Sequence, residues 1–229
     1  MAAEGDAGVG LPPDPGLDPA LTDIDAERQR AALRRTAAFV EEHMPTARSV
    51  GGATPVEGKL RLLDLALDLA PADGLVLEFG VAGGDTLRRI AARRAPVHGF
   101  DSFQGLPEDW RTGFERGAFA ADPPDVPGAV LHPGLFEDSL PRFLAGHPGP
   151  IAFAHLDADL YSSTATVLRE AADRLVAGSV LLFDEYFNYP GWERHEHRAF
   201  TEFVDRTGHG FDYVAYNPLW EQVLVRLTS

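Results

Sequence analysis

The chain contains no cysteine among its 229 residues. This absence excludes disulfide bonds, thiol catalysis and zinc sites that are built from cysteine. The sequence also lacks any apolar run long enough to cross a membrane, and its first residues are small and acidic rather than basic and then apolar. Neither a transmembrane helix nor a signal peptide is therefore predicted, and we expect a cytoplasmic protein.

Positive charge is scarce as well. Lysine and arginine together number 20 against 35 aspartates and glutamates, which gives a formal net charge of -15, and Lys59 is the only lysine. Such a charge disfavours nonspecific binding to nucleic acid or to an anionic membrane surface, so neither is expected as a partner. An acidic surface also attracts cationic ligands, but a solvated acidic surface is the simpler interpretation.

The domain organisation follows from composition. Residues 1–20 mix glycine, proline and acidic residues without periodicity, which predicts a flexible tail. Residues 21–229 have a length that one domain can reach. Within them we distinguish N-terminal helices over residues 21–70 from a core over residues 71–229.

Two helices are predicted in the N-terminal part, over residues 23–43 and 57–69. The first carries an apolar stripe that includes Ile24 and Leu33, and the second carries a stripe of leucines. Such helices either cover a ligand site or only pack on a sheet, and both interpretations stay open here.

Strand and helix patterns alternate from residue 75 onward, which favours a parallel α/β sheet with helices on both faces. The predicted strands cover residues 75–79, 97–101, 129–132, 151–156 and 180–183, and a closing hairpin covers residues 211–216 and 222–227. The predicted helices between them cover residues 85–94, 138–145 and 162–175.

Acidic residues follow two of the predicted strands directly. Asp157 and Asp159 come after one strand, and Asp184 and Glu185 come after the next. Ligands of open α/β sheets bind beyond the carboxyl ends of the strands, so these four carboxylates should meet at one rim. Because like charges repel, the cluster needs a cation or a shared proton. A divalent metal ion with oxygen ligands, Mg²⁺ first, is our initial interpretation.

A glycine-rich turn ends the first core strand. Residues 80–84 read Gly-Val-Ala-Gly-Gly, with Ala82 where the dinucleotide pattern has its second glycine, so dinucleotide binding is disfavoured. Glycines allow close approach of a ligand, and the helix that follows favours a carboxylate or phosphate. Asp101 ends the next strand, a position that commonly binds ribose hydroxyls. This combination suits the amino-acid and nucleoside ends of S-adenosylmethionine.

These motifs together resemble those of class I S-adenosylmethionine-dependent methyltransferases. Within that class the chain is most similar to the macrocin O-methyltransferase family of antibiotic-tailoring enzymes, and more distantly to catechol O-methyltransferase. The motifs occupy residues 78–84, 100–107, 156–161 and 183–186, and the likeness runs from about residue 56 to near the C-terminus. It implies a Rossmann-like sheet of seven strands, the last antiparallel, with helices on both faces and an N-terminal helical cover.

The resemblance also implies roles for individual residues. It assigns cofactor binding to Glu78, Gly80, Gly84, Thr86, Asp101, Ser102, Phe136, Glu137 and Asp157. It assigns Mg²⁺ binding to Asp157, Asp184 and Glu185, and catalysis to Asp157 and Asp159, with Asp159 as general base. Position 185 is usually aspartate or asparagine in the family, so Glu185 departs from the pattern by one methylene.

Two loops are predicted to form pocket walls. Residues 104–127 contain Trp110, Phe114 and Phe119, and a loop of that length forms either a lid or substrate wall, or a surface loop packed by its own aromatics. Residues 186–197 follow the acid pair, and their aromatics are predicted to stack on a sugar or aromatic ring.

Several polar residues have a structural interpretation beside the functional one. His195 and His197 do not share a helical face, which disfavours a joint metal site. His155 lies within a strand and is interpreted as a satisfied core histidine, with a catalytic role as the weaker alternative. Asp159 is also a candidate N-cap of the helix that begins near residue 162.

The predicted activity is methyl transfer from S-adenosylmethionine to a hydroxyl of a small molecule, a sugar or secondary metabolite, with help from Mg²⁺. The alternatives are a metal-independent methyltransferase, a noncatalytic S-adenosylmethionine or nucleotide binder, and a nucleotide-dependent reductase. A small hydroxylated molecule is the expected partner, and a homodimer stays open.

Overall fold

The computed structural model describes residues 23–111 and 113–229. The tail predicted for residues 1–20 lies outside the described residues. Six α-helices occur in the described part: α1 (Ile24–His43), α2 (Pro55–Leu69), α3 (Asp85–Ala91), α4 (Phe136–Gly146), α5 (Tyr161–Glu170) and α6 (Glu196–Thr207). Eight strands accompany them: β1 (Arg48–Ser49), β2 (Leu75–Phe79), β3 (Val97–Asp101), β4 (Ala129–Pro133), β5 (Ile151–Leu156), β6 (Val180–Phe183), β7 (Phe211–Tyr216) and β8 (Val223–Leu227).

All eight strands form one sheet in the order β1-β7-β8-β6-β5-β2-β3-β4. Strands β6, β5, β2, β3 and β4 run parallel, while β8 is antiparallel to both of its neighbours, β6 and β7. The predicted α/β sheet with an antiparallel last strand is therefore confirmed. The count of seven strands was wrong, because β1 adds two residues parallel to β7 at the edge.

Helices cover both faces of the sheet, and alternate residues of each strand point to opposite faces. In β6, Val180 and Leu182 pack in the cluster that contains leucines of α2 and α3. Leu181 and Phe183 pack in the other cluster, with α4, α5 and α6. Every residue of β6 is buried, as expected for a central parallel strand that reads as a continuous apolar run.

Helix α1 begins where the sequence predicts, and Asp23 caps it by accepting a hydrogen bond from Ala26 N at 3.0 Å. The predicted apolar stripe was wrong, since Ile24 is 76% and Leu33 51% exposed. The helix packs through Phe39 on Trp192, after β6, and on Tyr213 of β7. Polar bonds add to this contact, such as the one that Thr36 Oγ1 accepts from Asn188 N at 3.0 Å.

Helix α2 starts two residues earlier than predicted. Thr54 caps it by accepting a hydrogen bond from Glu57 N at 3.1 Å, and proline follows at the first helical position, where its missing N–H costs nothing. Leu62 and Leu63 lie on its buried face, together with Ala66 and Leu67. The outer leucine of the predicted stripe, Leu69, is exposed.

Two other helix ends differ from the sequence prediction. Helix α3 ends at Ala91 instead of residue 94, and α5 ends at Glu170, after which a short 3₁₀ turn covers Ala172–Arg174. No helix in the described part of the chain combines the length and the apolar character that crossing a membrane requires.

Candidate active site

The carboxyl ends of the central strands form one continuous rim. The ladder continues past the strand ends through hydrogen bonds from Asp184 N to Leu156 O at 2.9 Å and from Asp157 N to Phe79 O at 2.8 Å. Gly80 N likewise donates to Phe100 O at 2.9 Å. These bonds place the residues after β6, β5, β2 and β3 side by side, as the sheet order requires.

A cavity of about 680 Å³ opens along this rim, a volume typical of small-molecule sites. One end is lined by the glycine turn and the strand ends beside it: Gly80, Val81, Ala82, Asp101, Ser102, Gly134, Leu135, Phe136 and Glu137. The other end is lined by charged residues and a tryptophan: Lys59, Asp157, Asp159, Asp184, Glu185, Trp220 and Glu221. We call the first the nucleoside end and the second the acceptor end.

Asp101 organises the nucleoside end. Its Oδ2 accepts hydrogen bonds from Val81 N at 2.8 Å and Ala82 N at 2.9 Å, and its Oδ1 accepts one from Phe103 N at 2.7 Å. The carboxylate therefore holds the glycine turn in shape while it lines the cavity. Contact with a ribose remains a prediction for this residue.

The predicted cofactor residues divide into two groups. Gly80, Asp101, Ser102, Phe136, Glu137 and Asp157 line the cavity. Glu78, Gly84 and Thr86 are not among the described residues that line it. Glu78 is fully buried, and its Oε2 has no hydrogen-bond partner within the described part of the chain. Because a buried carboxylate oxygen without a partner is costly, this atom is suited to a donor from a ligand.

Gly80 is the position of the turn that most strictly requires glycine. Its φ is +90°, and an added Cβ would lie 1.8 Å from the carbonyl oxygen of Asp157. Only glycine lets the chain pass so close to the end of β5. This close approach joins the glycine turn to the first acid of the acceptor end.

Lys59 lies between the two central carboxylates of the acceptor end. Its Nζ donates to Asp184 Oδ2 at 2.7 Å and to Asp157 Oδ2 at 3.1 Å. Burial alone would lower the pKa of Lys59, but Asp157 and Asp184 hold that pKa well above its usual value. Lys59 was not among the predicted site residues, and the one feature of the sequence that singles it out is that the chain has no other lysine.

His155 lies beneath the cluster, fully buried. Its Nδ1 is 2.8 Å from Glu78 Oε1, and its Nε2 is 3.4 Å from Asp184 Oδ1. Burial alone would lower the pKa of His155, but its bonds to Asp184 and Glu78 raise it to about 10. The residue is thus a charged, satisfied core histidine, as the first of the two sequence interpretations states.

The acids respond differently to this environment. Burial alone would raise the pKa of Asp184, but Lys59 and His155 hold it well below its usual value. Burial, together with the charges of Asp157 and Asp184, raises the pKa of Asp159 to about 8. Burial and the same two neighbours raise the pKa of Glu185 well above normal. The cluster therefore holds acids of very different strength a few ångströms apart.

The predicted metal ligands do not form one set of converging atoms. Within the described residues, two groups have ligand atoms that lie within 4.8 Å of one another: His155, Asp157 and Asp184, and separately Asp157, Asp159 and Glu185. Neither contains the full predicted trio of Asp157, Asp184 and Glu185. Both oxygens of Asp184 already face cationic side chains, so the trio does not fit a divalent ion while Lys59 is in place.

Asp159 has a backbone conformation that suggests function. Its φ is +58°, a left-handed value that is unusual outside glycine, and the side chain is 8% exposed. The N-cap of α5 is Leu160, so the alternative interpretation of Asp159 as a cap was wrong. Ala82 and Phe119, which also line the cavity, have positive φ as well. Strained residues tend to cluster at functional sites.

The long loop after β3 forms a wall of the cavity, as one of its two interpretations states. Trp110, Phe114 and Phe119 all line the cavity, and Phe114 stacks on Phe119 with ring centroids 5.3 Å apart. Arg111 ties the loop to the segment before β8: its Nη1 is 3.0 Å from Glu221 Oε1, and its guanidinium lies 3.9 Å from the Trp110 ring centroid.

The aromatic residues after the acid pair are not pocket residues. Tyr186, Phe187, Tyr189 and Trp192 are each at most 3% exposed, and none lines the cavity. Tyr186 and Trp192 pack against Phe39 of α1, with ring centroids 6.5 and 5.3 Å apart. Phe187 packs against Tyr216 at 6.2 Å and Tyr189 against Trp110 at 6.0 Å. The prediction that these aromatics stack on a substrate was wrong, because other side chains of the protein cover them.

With this geometry established, comparison with known proteins is informative. A family model described as "Methyltransferase domain" matches residues 77–186, from β2 to just beyond the acid pair. The match covers just under half of the chain, and within it the chain resembles a methyltransferase domain. The match confirms the resemblance to methyltransferases that the motifs indicated, and it contains every residue that lines the nucleoside end.

A curated relative with a similar sequence is the 8-demethyl-8-(2,3-dimethoxy-α-L-rhamnosyl)-tetracenomycin-C 4'-O-methyltransferase of Streptomyces olivaceus, with 31% identity over a match that covers 46% of this chain and 44% of the relative. The match thus spans less than half the length of that curated relative.

Solved structures share the fold over nearly the whole chain. The calicheamicin methyltransferase CalS11 superimposes with a TM-score of 0.61 at 24% identity, over 92% of this chain and 93% of its own. The O-methyltransferase NovP does so with a TM-score of 0.59 at 17% identity, over 90% of this chain and 100% of its own. At these identities the likeness establishes the fold of the chain alone.

Proposed function

We propose that the protein is an S-adenosylmethionine-dependent O-methyltransferase that methylates a sugar hydroxyl of a small molecule. The single observation that carries the proposal is the cavity, which joins the glycine turn and Asp101 at one end to a cluster of carboxylates at the other. A cofactor at the first end would face an acceptor at the second.

The residues at the nucleoside end fit S-adenosylmethionine. Binding of the ammonium of the methionine part by Glu78 remains a prediction, because its unpartnered Oε2 is buried and the residue does not line the cavity. Asp101 and Glu137 are the acids available to ribose hydroxyls, and Phe136 offers a ring that packs edge-on against Phe79 at 5.5 Å. We infer that Phe136 contacts the adenine. S-adenosylmethionine supplies a methyl group that its sulfonium already activates, so the protein has mainly to align the acceptor.

The acceptor end favours a carbohydrate. Asp157, Asp159 and Glu185 offer oxygens that accept hydrogen bonds from hydroxyls, and Trp110 and Trp220 supply flat apolar faces beside them. Relatives point the same way: the tetracenomycin enzyme acts on a rhamnosyl compound by its name, and CalS11 is described as a TDP-rhamnose 3'-O-methyltransferase.

Asp159 is the proposed general base. Its side chain lines the cavity, and its pKa is raised to about 8. A general base works best when its pKa lies near the pH of the reaction, because it is then both available without its proton and basic enough to take one. As the hydroxyl oxygen forms its bond to the methyl carbon, the proton passes to Asp159 and the electron pair of the broken S–C bond stays on sulfur. Asp157 orients the acceptor beside it.

Mg²⁺ held by Asp157, Asp184 and Glu185 was the expected helper, and it would act as a Lewis acid on the acceptor oxygen. Because Lys59 bonds to two of these three carboxylates, no step of the proposed mechanism depends on a metal ion. Of the two predicted variants, the structure thus supports the metal-independent one better.

Ligand-induced stabilisation tests the proposal. A ligand at one hundred times its Kd adds about 2.7 kcal/mol to the free energy of unfolding, which for a chain of this size raises the Tm by about 5–11 °C. We expect S-adenosylhomocysteine to do so and NADH not to. A shift with NADH alone would favour a reductase, and a shift with S-adenosylhomocysteine without methylation of any sugar would favour a noncatalytic binder.

A further inference from the structure

Lys59 is unusual for this chain in both identity and place. Every other basic side chain among the 20 lysines and arginines is arginine. An ammonium is a compact charge with three rotatable donors, whereas a guanidinium is a flat, rigid fork that suits bidentate pairing with one carboxylate. The Lys59 side chain is only 17% exposed and ends between two carboxylates, where a compact cation fits.

The hydrogen bonds of the ammonium leave one donor for a ligand. Two N–H groups of Lys59 reach Asp157 and Asp184, and no third partner occurs among the described residues. Lys59 itself lines the acceptor end of the cavity. The remaining N–H is therefore available to an oxygen atom that enters the cavity.

Charge balance gives the cation a further role. Asp157, Asp159, Asp184 and Glu185 would repel one another without neighbouring positive charge. His155 supplies one such charge beside Asp184, and Lys59 supplies the one that lines the cavity. A second cation at the same oxygens would be repelled in turn by Lys59. One position between Asp157 and Asp184 thus accepts either the ammonium or a divalent ion, and the side chain of Lys59 is tethered there by α2.

We propose that Lys59 is the resident cation of the acceptor end, in the place expected for Mg²⁺, and that its third N–H binds the oxygen that receives the methyl group. This inference rests on the proposed methyl transfer. The ammonium stabilises the negative charge that develops on the oxygen as its proton leaves, which is the contribution a metal ion makes elsewhere. No external metal is needed.

Metal binding by the cofactor-free, full-length protein gives the first test, independent of activity. Electron paramagnetic resonance of Mn²⁺ should detect no stoichiometric binding by the wild-type protein at micromolar concentrations. Stoichiometric binding by the wild type that Asp184→Asn abolishes would overturn the inference. Because this measurement needs no substrate, it stands even if the proposed activity fails.

Turnover gives the second test. We expect exhaustive chelation with EDTA to leave the rate unchanged, and Lys59→Met to lower kcat/KM by about 10²–10³-fold, the usual loss of one donor to a developing oxyanion. Arg61→Met is the matched control, since Arg61 lies on the same helix, 58% exposed and outside the cavity, and should keep the wild-type rate. Loss of turnover in EDTA that Mg²⁺ restores, or a folded Lys59→Met protein with wild-type kcat/KM, would refute the inference.

Failure of the inference and failure of the proposed function are distinguishable. If no hydroxyl is methylated under any condition and S-adenosylhomocysteine does not bind, the proposed function fails. If methylation occurs but requires added metal, the function stands and the role of Lys59 falls. Should Lys59→Met fail to fold, as the removal of one partner of a buried ion pair can cause, the wild-type measurements with Mn²⁺ and EDTA still decide.

Discussion

Replacing Gly80 by alanine should be among the most damaging single-methyl additions in the site. The new Cβ would lie 1.8 Å from the carbonyl oxygen of Asp157 and 2.8 Å from its carbonyl carbon, and both are backbone atoms that no rotamer change can move. The residue also has φ +90°, which an L side chain rarely adopts. The turn, the end of β5 or both would have to shift.

The magnitude follows from these two effects. A left-handed conformation costs a residue other than glycine about 1–2 kcal/mol, and overpacking costs about 1–3 kcal/mol. Together they predict a loss of about 2–5 kcal/mol in the free energy of unfolding, which for a chain of this size lowers the Tm by about 4–20 °C. Displacement of Asp157 should also weaken binding of S-adenosylhomocysteine.

Gly83→Ala is the matched control, because it adds the same methyl group three residues along the same turn. Nothing lies within 4 Å of its added Cβ, so the change should stay within about 0.5 kcal/mol of the wild type. Urea unfolding followed by circular dichroism measures both variants. If Gly80→Ala is as stable as Gly83→Ala, the close approach of the turn to β5 is not as described.

Three further predictions concern separate parts of the molecule. Asp159→Asn should lower kcat by about 10²–10⁴-fold in a methylation assay, and asparagine tolerates the positive φ of this position. The wild-type rate should rise with pH through about 8 as Asp159 loses its proton, and a flat pH profile would exclude Asp159 as the base. Arg111→Met should raise the KM for the acceptor about tenfold, equivalent to about 1.4 kcal/mol, because the loop would lose its bond to Glu221. An unchanged KM would argue against a role of this loop in holding the acceptor. Burial and His132 lower the pKa of His98 to about 4, so between pH 6.5 and 4 unfolding takes up a proton and the free energy of unfolding falls as the pH falls. Between pH 7 and 5, the free energy of unfolding measured in urea should fall by about 1–2 kcal/mol less in His98→Gln than in the wild type, and equal falls would contradict this.

The sheet and its rim were predictable because their signals are local. Continuous apolar runs predicted β2, β3, β5 and β6 to within a residue, and the acids that follow β5 and β6 meet at one cavity as expected. Strand β1 was missed because two residues carry no pattern, and it exists only through pairing with β7.

The features that were not predicted from the sequence depend on contacts between distant segments of the chain. Lys59 meets its partners across 98 and 125 residues of sequence, and no motif predicts such a contact. Burial of the aromatics after the acid pair depends on α1, which packs Phe39 between Trp192 and Tyr213. A sequence pattern shows which residues are apolar or charged, but not which element covers them.

Transfer of an isotopic label tests the central claim most directly. The protein would be incubated with S-adenosylmethionine that carries a ¹³C-labelled methyl group and with TDP-rhamnose, in the presence of EDTA, and the product examined by nuclear magnetic resonance. We predict a ¹³C methoxy signal on a ring hydroxyl of the sugar, and one that grows at least about a hundredfold more slowly with the Lys59→Met or Asp159→Asn protein. A bound cofactor whose label never reaches oxygen on TDP-rhamnose or on any other glycoside would contradict the account.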